Sequence, residues 1–468
     1  MQGAKLKKSV LVVERGRRVG GVCVHTGTIP SKTLRETVLN LSGWRERGIY
    51  GRAHRSKAVI TAEDLRHRLA ITLDHEVEVL EHQFARNNVA CITGAARFVD
   101  AHSIDVATGE GEVKRCTGSR IIIAVGTAPY RPPNIPFDGE RVLDADDILD
   151  LKTLPRSMAV IGASVIGVEY ATIFSALDVK VTIIEPGEGM LPFVDRELVD
   201  EFAHDLRDRG MSLRFQSKVV GIERPGGEAC LVHLEDGRQI WADQVLFAAG
   251  RKGAVDGLNL AAAGLSADAR GRIAVDTANF RTSAPHIYAV GDVIGFPSLA
   301  STSMEQGRIA ACHAFAADAH APPEFFPYGI YAVPEISTIG MTEEQARERK
   351  IPYECGVARF RETSRGHIMG LESGFMKLIF AIETRRLIGA HIVGEGATEL
   401  IHIGQAVLNL GGTLDYFVEN SFNYPTLAEA YKIAALDAWN RMPSRQSSAA
   451  AFVRLGEAAR RVASGEKG

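Results

Sequence analysis

The stretch Gly20-Gly21-Val22-Cys23-Val24-His25-Thr26-Gly27-Thr28-Ile29-Pro30-Ser31-Lys32 decides how the rest of the chain is read. Paired glycines lack the Cβ that would hold a backbone away from a flat or phosphorylated ligand. Pro30 suits the first turn of a helix, where its missing N–H costs nothing. Lys32 then lies about one turn into that helix and can point its ammonium back toward the ligand.

Composition narrows the class. The chain has 468 residues, enough for several domains with real cores, and its 46 glycines and low aromatic content suit an α/β protein with many tight strand–helix turns. A net charge of −3 gives no reason to expect nucleic acid or a membrane surface as partner. No apolar run approaches the roughly 18 residues of a membrane span, and Val10–Val13 is too short for a signal peptide. Six scattered cysteines without a Cys-x-x-Cys pair argue against a zinc site or a disulfide framework, so a cytoplasmic enzyme is expected.

A dinucleotide-binding unit opens at Met158. A strand runs into Gly162-Ala-Ser164-Val-Ile-Gly167, a helix follows through Leu177, and a second strand, Lys180–Ile184, ends in Glu185. Strand, turn, helix, strand and terminal acid fall at the fingerprint's spacing, with Ser164 in the middle glycine's place. A carboxylate at Glu185 suits both ribose hydroxyls of NAD and repels the 2′-phosphate of NADP. No Arg or Lys lies between Glu185 and Asp195 to offset that repulsion.

The start of the chain reads as part of a second such unit. Ser9–Val13 has the pattern of a buried parallel strand and ends in Glu14, followed by Arg15. An acid in that place belongs to the second strand of a dinucleotide unit, whose first strand and glycine turn should lie about 20 residues earlier. They are absent, and Met1–Lys8 reads as the last turns of the intervening helix; the chain is expected to lack its natural front end. The alternative is that Ser9–Val13 is a true first strand and Glu14 a surface acid. Ala62–Asn87 has helical apolar spacing, and its His67, His75 and His82 read as a solvated face rather than a metal site.

The Gly20–Lys32 segment resembles the active-site segment of the flavin disulfide reductases, the class I pyridine nucleotide-disulfide oxidoreductase family, whose pattern is Gly-Gly-x-Cys-x-x-x-x-Cys-x-Pro-Ser-Lys. Thr28 stands where the second cysteine belongs, and a hydroxyl cannot form a disulfide. Arg120–Pro129, with Gly126, resembles the element leading from the flavin domain into the nicotinamide domain. Gln244-Val-Leu-Phe-Ala-Ala-Gly250-Arg251 resembles the strand that returns toward the flavin domain. His286-Ile-Tyr-Ala-Val-Gly291-Asp292-Val resembles the second FAD signature, which implies that Asp292 binds ribityl hydroxyls. Pro297–Gly307, with Ala300 in it, would then supply a helix N-terminus under the flavin. The resemblance also implies that Glu169 pairs with Lys32 near the nicotinamide.

From Tyr328 the pattern changes to α+β. Gly329–Gly340, Phe375–Phe380 and Leu387–Val393 read as strands; Thr398–Leu410 and Thr426–Trp439 read as helices. In the resembled family this domain dimerises, and a His-x-His-Pro-Thr-x-x-Glu segment supplies an acid–base histidine. Here the segment is Phe422-Asn-Tyr424-Pro-Thr-Leu-Ala-Glu429; the glutamate remains, but a phenol, protonated at neutral pH, makes a poor general base. The implied architecture is two doubly wound dinucleotide-binding domains, for FAD and NAD(P), plus an α+β dimerisation domain. Its expected divisions are residues 1–147 and 271–322 for the flavin, 148–270 for the nicotinamide, 323–443 for the interface, and a polar tail from 444 to 468.

Both parts of thiol chemistry are thus replaced while both nucleotide sites keep most of their parts. Hydride transfer needs two rings stacked in register, and neither a cysteine pair nor a base. The paired substitutions Thr28 and Tyr424 resemble the Si-specific transhydrogenase branch of the family. That implies FAD, NAD and NADP, a homodimer, and hydride exchange at a site involving Cys23, Lys32, Glu169, Tyr424 and Glu429; because the sequence holds one nicotinamide unit, a ping-pong cycle is expected. Two alternatives stand beside it: a single-cysteine flavoenzyme using Cys23, as peroxidases do, and an inactive flavin-free scaffold.

Overall fold

The computed structural model describes residues 1–109, 111–227, 229–319 and 324–442. The tail read at 444–468 lies outside them. The chain divides into two compact units. The first comprises residues 1–44, 55–191 and 206–324; the second comprises 45–54, 192–205 and 325 onward.

At the centre of the first unit is a five-stranded parallel sheet in the order Ser212–Arg214, Lys180–Ile184, Ser157–Ile161, Gln244–Phe247, Val142–Asp144. Its strands are near-continuous apolar runs because both faces are covered. The Val165–Ala176 helix, buried almost throughout, packs on the Lys180–Ile184 strand. On the other face Ile161, Ile184 and Val245 meet Ile222, Cys230 and Val232 of a three-stranded antiparallel meander.

The strands Leu11–Glu14 and Ile121–Ile123 depart from expectation. Leu11–Glu14 pairs in parallel with Ala90–Thr93, and Ile121–Ile123 with Ile287–Ala289, but these are two separate two-stranded sheets. Among the described residues neither Leu11–Glu14 nor Ile121–Ile123 has a second strand neighbour. Both segments read as buried strands, and the structure corrects this: Leu11 is 41% exposed and Ile122 39%. One-sided pairing is the reason, since apolar sequence buries a strand only where neighbours cover it. The Arg120–Pro129 run also breaks at Gly126, whose φ of +65° ends one strand before Thr127–Pro129 begins another. The Ala62–Arg86 helix begins with a capping box from Thr61 and Asp64, and its three histidines are exposed.

The second unit is a five-stranded antiparallel sheet ordered Tyr328–Ile330, Ile336–Gly340, Leu387–Val393, Phe375–Ala381, Tyr353–Arg359. Helices Ala397–Asn409 and Glu429–Arg441 cover it. The second helix starts three residues later than its apolar pattern suggests, because Thr426–Ala428 is turned rather than helical. Tyr431 locks this core: its ring stacks on Phe417 at 5.3 Å, and its hydroxyl accepts from Gly404 N–H and donates to the Leu400 carbonyl.

One ionic cluster in this unit is centred on a buried lysine. Lys377, 0% exposed, holds Asp195 at 2.9 Å, Glu197 at 2.8 Å and Glu343 at 2.5 Å. Burial pushes the Asp195 and Glu343 carboxyls up. His391, the Glu343 N–H and Lys377 outweigh this at Asp195, and Lys377 and the Tyr353 hydroxyl do so at Glu343, so both end below the usual range. Carboxyls depressed in the folded state add stability above their unfolded values, and that stability is lost as pH falls through the folded ones. Lys377→Met is therefore expected to cost about 3 kcal/mol near neutral pH, by leaving buried carboxylates without their cation. The gap from wild type should narrow below about pH 4, which urea unfolding at the two pH values checks; a gap that is constant with pH would contradict the assignment.

Candidate functional site

The Gly20–Lys32 stretch folds as two short helical starts. Gly20, at φ +129°, precedes the helix Gly21–His25, and a Cβ there would lie 2.7 Å from Val24 Cβ. Gly21 also has a positive φ of +56°, with open space where its Cβ would point. Thr28 then begins the helix Thr28–Leu41, placing Pro30 in its first turn and Lys32 just beyond it.

Lys32 meets Glu169 in the first turns of the Val165–Ala176 helix, 137 residues away in sequence. The ammonium lies 2.8 and 2.9 Å from the two carboxylate oxygens. Glu169 is 4% exposed and Lys32 26%, so the pair is largely shielded from water but open on the lysine side. Cys23 lies close by. Burial pushes its thiol up, and a hydrogen bond with Thr28 and the Lys32 ammonium offset this only in part. The partner that faces Cys23 is thus a hydroxyl.

The glycine turn after Ser157–Ile161 shows why two glycines are required and the third is not. At Gly162, φ is +105° and a Cβ would lie 2.7 Å from the Ala248 carbonyl oxygen. At Gly167 a Cβ would lie 2.0 Å from the Gly162 oxygen. Ser164, between them, has an ordinary extended backbone at φ −81° and carries its side chain without strain. Glu185 closes the unit: its carboxylate accepts from Ala163 N–H at 2.8 Å and from Gly187 N–H at 2.9 Å. Glu14 makes the same local bond, accepting from Gly16 N–H at 2.7 Å. Both acids end a parallel strand and each captures the amide two residues on. A carboxylate has about four acceptor positions, so both can still take ribose hydroxyls. Arg15 follows Glu14 and is exposed.

A third group surrounds Asp292. The Gly250 backbone, at φ +129°, turns the chain so that Arg251 reaches back to Thr127. Arg251 donates to Thr127 Oγ1 at 2.9 Å and to its carbonyl at 3.0 Å, and pairs with Asp146 at 3.3 Å. Burial pushes the Asp292 carboxyl up, while Arg251 and Thr127 pull it back. Gly291 N–H donates to Gln306 Oε1 at 2.7 Å, tying this strand end to the Ala300–Ala314 helix, which begins at Ala300. Gly126 accepts from Ala254 N–H at 3.0 Å. Thr127, Asp146 and Gln306 went unnoticed in the sequence; the Asp144–Asp147 acidic run was the available signal.

Tyr424 and Glu429 lie in the second unit. Tyr424 is 72% exposed, and its hydroxyl is hydrogen-bonded to Ser364 Oγ. Glu429 opens the last helix, and its Oε1 is buried with no hydrogen-bond partner among the described residues.

A parallel-sheet unit with a glycine-turn fingerprint, joined in one chain to an antiparallel α+β unit, defines the class of nicotinamide-dependent oxidoreductases. Residues 1–307 match the pyridine nucleotide-disulphide oxidoreductase family and residues 326–435 match its dimerisation domain. The chain belongs to that family. It is 51% identical over 440 residues to a soluble pyridine nucleotide transhydrogenase of Mycobacterium tuberculosis, covering 94% of each chain. It is 43% identical to that of Colwellia psychrerythraea, covering 94% of this chain and 95% of the relative. Among solved structures it resembles RclA, an HOCl-induced flavoprotein disulfide reductase of Escherichia coli, with a TM-score of 0.82 and 27% identity over 92% of this chain and 95% of the other. No helix among the described residues is long and apolar enough to cross a membrane.

The Lys32–Glu169 pair yields an asymmetric prediction. Lys32→Met leaves a 4%-exposed carboxylate without its ammonium and is expected to cost about 3 kcal/mol. Glu169→Gln keeps an acceptor for a lysine that can turn to water, and should cost about 1 kcal/mol. Urea unfolding of both variants ranks them; the reverse order would contradict the burial argument.

Proposed function

We propose that this chain passes hydride between NADPH and NAD⁺ through a bound FAD, one nucleotide at a time at a single nicotinamide site, with no thiol step. The observation that carries this is the hydroxyl of Thr28 against Cys23 where a dithiol mechanism needs a second sulfur. Relatives named transhydrogenases, at 43% and 51% identity, support it.

The residues present suit the ribose, the ribityl chain and the ring of FAD, and the nicotinamide nucleotide. Glu14 is placed to accept ribose hydroxyls of FAD and Asp292 those of its ribityl chain. Gly21, with open space where its Cβ would point, lets the backbone approach the ring, and Gly20 lets the chain turn closely over Val24 just before it. When bound, FAD supplies a ring that takes up hydride and gives it back. The Ala300–Ala314 helix presents its N-terminus, which favours negative charge. Gly126, Gly250 and Arg251 hold the strand ends that carry Asp292. On the nicotinamide side, Gly162, Ser164 and Gly167 admit the pyrophosphate at a helix N-terminus, and Glu185 accepts from the ribose. Lys32, fixed by Glu169, positions a cation where the two rings would meet. Tyr424 and Glu429 line the active site from a partner subunit in a homodimer, without acting as general base.

The expected kinetics are ping-pong. Initial rates with NADPH and a spectrally distinct NAD⁺ analogue should give parallel double-reciprocal lines. Cys23→Ser should stay within about twofold of wild type, since the sulfur takes no part. Intersecting lines would overturn the one-at-a-time exchange, and a hundredfold loss in Cys23→Ser would favour a single-cysteine mechanism instead.

A further inference from the structure

One site that serves two carriers must tolerate a 2′-phosphate beside a carboxylate. Glu185 repels that phosphate, and no basic residue lies in the ten positions from 186 to 195. The neighbouring strand offers one. Ser212–Arg214 runs parallel to Lys180–Ile184 with Arg214 in register with Ile184, so Arg214 and Glu185 both stand at carboxyl ends of adjacent strands. Ligands of open parallel sheets bind outside those ends.

The chain beyond Arg214 follows the Glu185 turn closely. Glu185 N–H donates to the Arg214 carbonyl at 2.9 Å, Gln216 N–H to the Gly187 carbonyl at 2.8 Å, and Ser217 N–H to the Glu185 carbonyl at 3.0 Å. Three cations accompany this segment. Lys218 is held by Glu235 at 2.7 Å. Arg238 is held by Asp236 at 2.7 Å and reaches Ser217 Oγ at 3.2 Å. Arg214 is exposed, and its guanidinium bonds to no described residue.

We infer that Arg214 is the residue that recognises the 2′-phosphate of NADP(H), giving the site a cation for one carrier while Glu185 serves the ribose of the other. Neighbouring strands lie about 4.8 Å apart, within reach of an arginine side chain, and the guanidinium fork matches phosphate oxygens. This rests on the hydride-transfer reading for its biological sense, but it is tested separately.

Calorimetric titration of the full-length protein with 2′,5′-ADP and with 5′-AMP isolates the 2′-phosphate without requiring flavin chemistry. Arg214→Ala should weaken 2′,5′-ADP about tenfold, or about 1.4 kcal/mol, and leave 5′-AMP within about twofold. Arg214→Lys should recover part of the loss, and flavin reduction by NADPH, not NADH, should fall by a similar factor. Unchanged 2′,5′-ADP binding in Arg214→Ala, or equal losses for both fragments, would overturn the inference. Arg214-dependent 2′,5′-ADP binding in a protein that moves no hydride from NADPH to NAD⁺ would uphold the inference and remove the hydride-transfer reading.

Discussion

A buried carboxylate with a lysine turned onto it ties the first unit together. Glu169 grows out of the glycine turn that starts the Val165–Ala176 helix, and Lys32 out of the helix that follows the paired glycines. Their contact sets the spacing between two helix starts that sequence places far apart. Removing an ion pair of this kind is costly because one charge is stranded in low dielectric. The lysine's partial exposure points the other way: at 26% its side chain remains accessible to solvent. The same interaction therefore positions two pieces of backbone and presents a charge.

Much of the scaffold could be read from residue order. The Lys180–Ile184 strand has the bounds its apolar run suggests, and the Gln244–Phe247 strand lies beside Ser157–Ile161 as a doubly wound sheet requires. The glycine turn was legible because sterics leave little choice at Gly162 and Gly167. Burial in the two-stranded pairs was not legible: Leu11 and Ile122 have core composition, but exposure depends on pairing, which a local pattern does not encode. Nor could sequence reveal the links that converge on Asp292, since Thr127, Asp146 and Arg251 are brought together by strands distant in order. The buried Lys377 was missed for the same reason, as carboxylates from two distant segments, Asp195 with Glu197 and Glu343, gather on its ammonium.

The two acids Glu14 and Glu185 show how local rules repeat. Each ends a parallel strand, and each is followed two residues later by a glycine whose amide it holds. A short polar side chain that bonds its own downstream backbone stabilises a turn without tertiary help. Such a turn can be reused wherever a strand must stop and present a carboxylate outward.

Glu185 has one more consequence. By holding the Ala163 amide it keeps the glycine turn wound before any carrier arrives. An incoming dinucleotide then has little backbone to order, and the entropic cost of binding is correspondingly small. A rigid, ready cradle of this sort lets more of each contact appear as affinity, because little of it is lost to ordering backbone.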